Sequence, residues 1–443
     1  MAIRAATLRY KDDMKLIAEK QELHILGISG SYHGDTIGAM DACEDGVFNS
    51  AVEWYRGRGY WFKPPRLGIK DGKLIITLPF DLQAETPLLE TVKTPSGNYE
   101  IRIVSGPRGL SYIRFEGPVA SALEWVYDVQ NRLDSPIAKR YLDTIRHQLT
   151  VLRSRRRIFG ALVIEPLVMG AGGMIFVDPL FQRLLITVVR SEYPSPTLSN
   201  TEDGNTISSK EWRGLPVIFD EVFVGLYRLG FLRASDILGV EPDISVLAKI
   251  LTGGLLPLSV TLARQSIYEA FLGDRKEEAM LHGHSYTAHP VGCAVGKTSF
   301  ELMEDIVTNS EEWKEAKAKW APLWIGASGS QNEVIRTTEP RVWSLWDPEF
   351  VSSLSRRFHI QEVMTLGTIL AFRLSNETFT AGYQASSAEC FMKQVKRTLE
   401  NNPNSQFGIH FRTLGDVAYL MCSLNTPSRV LRTLENAILS TLP

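Results

Sequence analysis

Short apolar runs that stop abruptly on a glycine or an ionisable residue punctuate this chain. HILGISG (24–30), FGALVIEP (159–166), LPVIFDEV (215–222) and DISVLAK (243–249) are the clearest. Such unbroken runs predict strands buried on both faces, as in a parallel sheet. Helical spacing marks about 2–20, about 119–152, VGCAVGKTSFELMEDI after Pro290, EEWKEAKAKW after residue 310, and a terminal helix with Leu431, Leu434 and Leu439. Further strands are expected at KLIITLPF, YEIRIVSG, SYIRFEG, LGTILAFRLS, FGIHFRTLG and VAYLMCSL, and an exposed loop at 194–212. The pattern predicts an α/β architecture. A large, mostly parallel sheet domain is expected over 1–305 and a smaller α+β domain over 306–443.

Composition narrows the class. A chain of 443 residues is too long for one simple core, which fits two domains. Its hydrophobic content of 44% and charged content of 22% are those of an ordinary soluble globular protein. A net charge of −2 gives no electrostatic case for nucleic acid or an anionic membrane. No apolar run approaches the roughly 20 residues of a spanning helix. The four cysteines, Cys43, Cys293, Cys390 and Cys422, lie far apart, which suits a reducing, intracellular compartment. Cytoplasm and mitochondrion both stay open.

In open α/β sheets chemistry collects at the carboxyl ends of strands. Asp220 ends one apolar run and Lys249 ends another, just before Thr252-Gly253-Gly254. A partly desolvated lysine has a lowered pKa and can act as a Schiff-base nucleophile. A carboxylate beside it can keep a pyridine ring nitrogen protonated, so that the ring acts as an electron sink. Alone, each residue would be ordinary: a solvated lysine, a capping aspartate. Together they suggest one site.

Four blocks now carry a resemblance. VIFDEVFVGLYRLG, PDISVLAKILTGGLLPLSVTLA and HGHSYTAHPVGCAVG resemble the signature blocks of class III, pyridoxal-phosphate-dependent aminotransferases of fold type I, and GISGSYHGDTIGAM resembles the family's ring-stacking block. With EPLVMGAGGM and FRTLGDVAYLM, the match is similar to the branch that serves biotin biosynthesis, and GRGYWFKPPRLGIKDG leans to its eukaryotic form, fused behind a dethiobiotin synthetase. The resemblance implies transfer of an amino group from S-adenosylmethionine, or lysine, to 8-amino-7-oxononanoate. It makes Lys249 the Schiff-base lysine and proton shuttle, Asp220 the partner of the pyridinium nitrogen and Tyr32 the aromatic on the ring face. Ser285 becomes a phosphate ligand given across a homodimer interface, and Arg412 the anchor of a substrate carboxylate. Ser31 is assigned to the cofactor and Gly283 to the substrate.

Other features resolve differently. Gly292 to Thr298 has three residues between its glycines where a Walker A loop has four, and it lies in an expected helix. His282, His284 and His289 sit in a Gly- and Pro-punctuated loop without metal-site spacing. Glu165-Pro166 reads either as acid/base machinery or as a loop near the cofactor, and Met169 stands where bacterial members often have Gln. The Gly-Ser turn that cups the cofactor phosphate in the family has no counterpart before Ser31, so the resemblance points to an N-terminally truncated chain. Three readings stay open: the biotin-pathway transaminase, another class III ω-aminotransferase, or a pseudoenzyme that keeps the fold.

Overall fold

The computed structural model describes residues 1, 5, 22–82, 89–94, 96–105, 111–192, 214–325, 334–336, 339–375, 384–403 and 405–442. The helix expected at 2–20, apart from Ala5, and the loop expected at 194–212 lie outside these residues.

The strands, in chain order, are β1 (Leu23–Ile28), β2 (Gly59–Phe62), β3 (Arg66–Lys70), β4 (Lys73–Leu78), β5 (Leu89–Thr94), β6 (Gly97–Ser105) and β7 (Ser111–Phe115). They continue with β8 (Ile158–Ile164), β9 (Val168–Met169), β10 (Ile175–Phe176), β11 (Val217–Asp220), β12 (Ile244–Leu247) and β13 (Val260–Ala263). Towards the C-terminus come β14 (Leu323–Ile325), β15 (Val334–Arg336), β16 (Ile360–Leu366), β17 (Ile369–Leu374), β18 (Arg412–Leu414) and β19 (Val417–Met421). The longer helices are α1 (Val119–Tyr127), α2 (Pro136–Ser154), α3 (Pro179–Ser191), α4 (Pro290–Asn309), α5 (Glu311–Trp320), α6 (Pro348–Ser355), α7 (Ser387–Glu400) and α8 (Ser428–Thr441).

The apolar runs become one sheet of order β13-β12-β11-β8-β1-β2. Its strands pair in parallel except β13, which runs antiparallel to β12. Phe159, Ala161, Leu162 and Ile164 of β8 have no exposed surface, as expected of a strand covered on both faces. The helix expected across 119–152 is broken. Pro136 lacks a donor, and Ser135 caps α2 by accepting from the Ala138 N–H, so a new helix starts there. Asp178 caps α3 in the same way, through the Leu180 N–H.

A second sheet, antiparallel throughout, has the order β18-β19-β17-β16-β3-β4-β7-β6-β5. The division expected at 305/306 is therefore not the division of the sheets. Residues 66–115 extend the C-terminal sheet through the Val363–Ile69 pairing. Their alternating residues gave no sign of which strand they would join, because β pairing is non-local. Under this sheet, Trp313, Trp320 and Trp346 are fully buried. The first two satisfy their indole N–H groups with the carbonyls of Leu424 and Trp346, at 2.8 and 2.9 Å. The Walker-like segment lies in α4, where the His289 Nδ1 caps the Gly292 N–H at 3.3 Å. That bond uses the histidine locally.

Candidate active site

Four neighbouring parallel strands deliver their carboxyl ends to one cavity of about 470 Å³. β1 leads to Tyr32 and His33, β8 to Glu165, β11 ends on Asp220, and β12 leads to Lys249. Arg412, Leu414, Tyr419 and Met421 come from β18 and β19 of the other sheet and line the cavity too. Asp220 and Lys249 thus stand on adjacent strand ends, as the sequence implied.

Asp220 is held from two sides. Its Oδ1 accepts the Val222 N–H at 3.2 Å, and its Oδ2 lies 2.8 Å from the His33 Nδ1. The His33 side chain is 5% exposed. Lys249 opens a single 3₁₀ turn with φ of +49°, a left-handed conformation that costs a non-glycine residue on the order of 1–3 kcal/mol. Such strain persists only where the surroundings enforce it, and here it turns the lysine off the strand. As a residue Lys249 is exposed, because the cavity is open. Its ammonium nevertheless sits 5.8 Å from the Phe223 ring centre. Desolvation by these walls pushes its pKa below the ordinary lysine value, against the opposing pull of Asp220 and Glu165.

Tyr32 packs its ring on Phe48 at 4.9 Å and donates its hydroxyl to Asp35 at 2.8 Å. Burial first, then the Asp35 hydrogen bond, push its phenol up to about 12. Glu165 is 4% exposed; it accepts the Tyr32 N–H at 2.8 Å and the Gly170 N–H at 3.0 Å. Burial raises its carboxyl to about 7, with His33 pulling it down and Asp220 pushing it up.

Lys249, Asp220, Tyr32 and Arg412 are brought together. Three other expected residues are not among the cavity's lining. Ser31 is buried and lines a neighbouring cavity of about 190 Å³, beside Asp35 and Glu44. Ser285 and Gly283 are exposed. His33 and Arg228 were not singled out in the sequence. Arg228 is carried into the cavity by a turn with positive φ at Leu226 and Tyr227, and its guanidinium lies 5.4 Å from the Phe223 ring centre. Adjacency to Tyr32 was the only sequence signal for His33; Arg228 had none beyond its block.

A pyridoxal phosphate ring fits this arrangement. The two-sided hold on Asp220 would orient a carboxylate for a ring nitrogen, Lys249 would offer an amine of lowered pKa for the aldehyde, and Tyr32 would supply an aromatic face. For the phosphate, the described lining offers the Arg228 guanidinium rather than serine or threonine hydroxyls.

Residues 210–323 match the family model "Aminotransferase class-III". The chain is 38% identical over 442 residues to a bifunctional dethiobiotin synthetase/adenosylmethionine-8-amino-7-oxononanoate aminotransferase of Emericella nidulans, covering 99% of this chain and 49% of that protein. A bifunctional dethiobiotin synthetase/7,8-diamino-pelargonic acid aminotransferase of Oryza sativa is 33% identical, over 95% of this chain and 43% of its own length. The chain spans about half the length of these relatives or less. Among solved structures, an adenosylmethionine-8-amino-7-oxononanoate aminotransferase from Methanocaldococcus jannaschii superposes with a TM-score of 0.59 at 18% identity, covering 99% of this chain and 71% of that one. A PLP-bound amine transaminase from an uncultivated Pseudomonas species gives 0.60 at 18%, covering 100% and 73%. That likeness establishes the fold, an α/β fold shared with transaminases. The class-III aminotransferase match falls on the segment that carries Asp220, Lys249 and Ser285, and the bifunctional relatives are similar to this chain over nearly all of its length.

Proposed function

We propose that the chain is the transaminase unit of a biotin-pathway enzyme. It binds pyridoxal phosphate and moves an amino group from S-adenosylmethionine, or lysine, to 8-amino-7-oxononanoate, giving 7,8-diaminononanoate in two half-reactions. The observation that carries this reading is the convergence of Asp220 and Lys249, from adjacent strands, on the cavity that Tyr32 also lines. The names of the longer relatives supply the substrates.

Bound in this cavity, the cofactor would supply an electron sink for carbanion charge. The chain's residues do the rest. Asp220, oriented by His33, holds a proton on the ring nitrogen. Lys249 would hold the cofactor through its Nζ and would move a proton at that atom, a task suited to an amine of lowered pKa. Tyr32 excludes water from one ring face. Arg412 anchors the substrate carboxylate, with a guanidinium fork able to bind it bidentately.

Ser285, exposed in its own chain, fits a role in the site of a second copy, where its hydroxyl would contact the cofactor phosphate. The working unit is then a homodimer. No helix among the described residues is long and apolar enough to cross a membrane. The reading favours a cytoplasmic or mitochondrial enzyme.

Adding pyridoxal phosphate to the wild-type chain and to Lys249→Ala tests cofactor capture. A lysine-dependent absorbance band is expected in the first only, and its absence from both would overturn the reading. Rescue of a biotin auxotroph lacking this transaminase, by a version of full relative length, tests the substrate. Failure there with an intact band would leave a class III enzyme acting on another amine.

A further inference from the structure

Glu165 has a part in this site that the proposed chemistry does not use. It closes β8 and is the most buried carboxyl of the cavity lining, at 4% exposure. Its two oxygens serve two different loops. Oε1 accepts from the backbone of Tyr32, in the loop after β1, and Oε2 accepts from the backbone of Gly170, in the turn after β9. The two loops touch. A Cβ placed on Gly172 would lie 1.7 Å from the Gly30 carbonyl oxygen, so only glycine allows this approach. From behind, Gln182, itself fully buried, donates to the Glu165 carbonyl at 3.0 Å and accepts the Leu167 N–H at 2.7 Å. Glu165 is therefore braced on its own side and reaches across to the segment that carries the ring-facing tyrosine.

We propose that Glu165 is a positioning residue: its ionised carboxyl clasps the Tyr32 loop to the Gly170 loop, fixing the aromatic wall, and it adds negative charge behind Asp220 and Lys249. The proposal rests on the pyridoxal phosphate reading for its second half only. The titratable groups around Glu165 come from every neighbouring element. They are Tyr32 and His33 after β1, Cys43 from the following turn, Asp220 on β11 and Lys249 after β12. His33 favours the ionised form of Glu165, whereas burial and Asp220 oppose it. Glu165 in turn favours the protonated form of Lys249. Two backbone donors meeting two oxygens is an arrangement a carboxylate satisfies and an amide cannot, because an amide offers one accepting oxygen.

The test compares wild type, Glu165→Gln and Glu165→Ala, with thermal unfolding to verify that each variant folds. Backbone hydrogen exchange on cofactor-free protein reads the clasp directly. Exchange is expected to quicken about 10-fold or more at both Tyr32 and Gly170 in Glu165→Ala and at one of the two in Glu165→Gln, since a buried donor loses its acceptor. The second readout is the pH midpoint of the lysine-dependent absorbance band. Glu165→Gln removes a negative charge from beside cationic groups, so the midpoint is expected to move to lower pH. A merely structural role would leave that midpoint in place. Unchanged exchange at both amides would overturn the clasp, and an unmoved midpoint would overturn the electrostatic part. If the wild-type chain shows no band at all, the cofactor reading fails, while the exchange data still decide the clasp. If the alanine variant does not fold, the glutamine variant carries both readouts.

Discussion

The His33 Nδ1 stands 2.8 Å from the Asp220 Oδ2, with the imidazole almost wholly buried. That contact links the tyrosine-bearing loop to the carboxylate proposed to pair with the ring nitrogen. Replacing His33 with alanine leaves Asp220 held on one oxygen only, by the Val222 N–H. A hydrogen bond to a charged group contributes about 1.5–3 kcal/mol, so turnover is expected to fall about 10- to 100-fold in His33→Ala. Affinity for a substrate carboxylate should change little. Steady-state kinetics separating kcat from KM would check this.

Lys249→Ala should abolish the absorbance band and lower transamination by at least ~10³-fold, the range expected when a proton-transferring group is lost together with covalent capture. In the wild type, capture needs the neutral amine. Because burial lowers the lysine pKa, the capture rate is expected to rise with pH through a midpoint below the ordinary lysine value of 10.5. Stopped-flow absorbance over pH would show it.

Arg412→Ala is expected to raise KM for the carboxylate-bearing substrate, with a smaller effect on kcat. Loss of a charge-assisted bidentate contact should cost roughly 10- to 100-fold. The same variant should still bind pyridoxal phosphate. Substrate titration of the absorbance band separates the two effects.

The Glu435 carboxyl, buried on α8, accepts the Asp347 N–H at 2.9 Å and meets Arg432 at 2.9 Å. Burial pushes it from 4.5 up to about 7 in the folded state. The sign follows from proton uptake: between these values the folded chain holds a proton that the unfolded chain has lost. This contribution to stability is full below about 4.5 and is lost as pH rises through about 7. Glu165 acts with the same sign and over a similar window. Glu435→Gln should flatten the dependence between these pH values in urea unfolding.

Arg132 and Asp178 are 1% and 0% exposed and pair through two bonds of 2.8 Å, with the Tyr141 hydroxyl adding a third contact to Asp178 at 3.0 Å. Arg132→Met leaves the carboxylate buried with its main partner gone. A loss of about 3–5 kcal/mol in unfolding free energy is expected. Replacing both partners with apolar residues should recover part of it, which chemical denaturation would measure.

Much of this site was legible because its strands are buried on both faces. An apolar run ending on Asp220 or Lys249 needs little context to be read as a strand delivering a group to a sheet rim. Tyr32 was reached through the glycine that stops β1. What could not be read was pairing at a distance. Nothing local in residues 66–115 says that they join β16, and His33 meets Asp220 across 187 positions of chain. Ser31 shares a cavity with Tyr32, but not the one that Lys249 lines.

The cavity draws its walls from two sheets: Lys249 and Asp220 from the parallel one, Arg412 from the antiparallel one. Under the proposed chemistry, this makes the gap between the sheets a ruler. A substrate held by its carboxylate at one wall presents a carbonyl at the other only if the chain between them has the matching length. Acceptance of shorter or longer homologues would then be set by how the sheets pack, and substitutions far from the cavity could retune it without touching a reacting group.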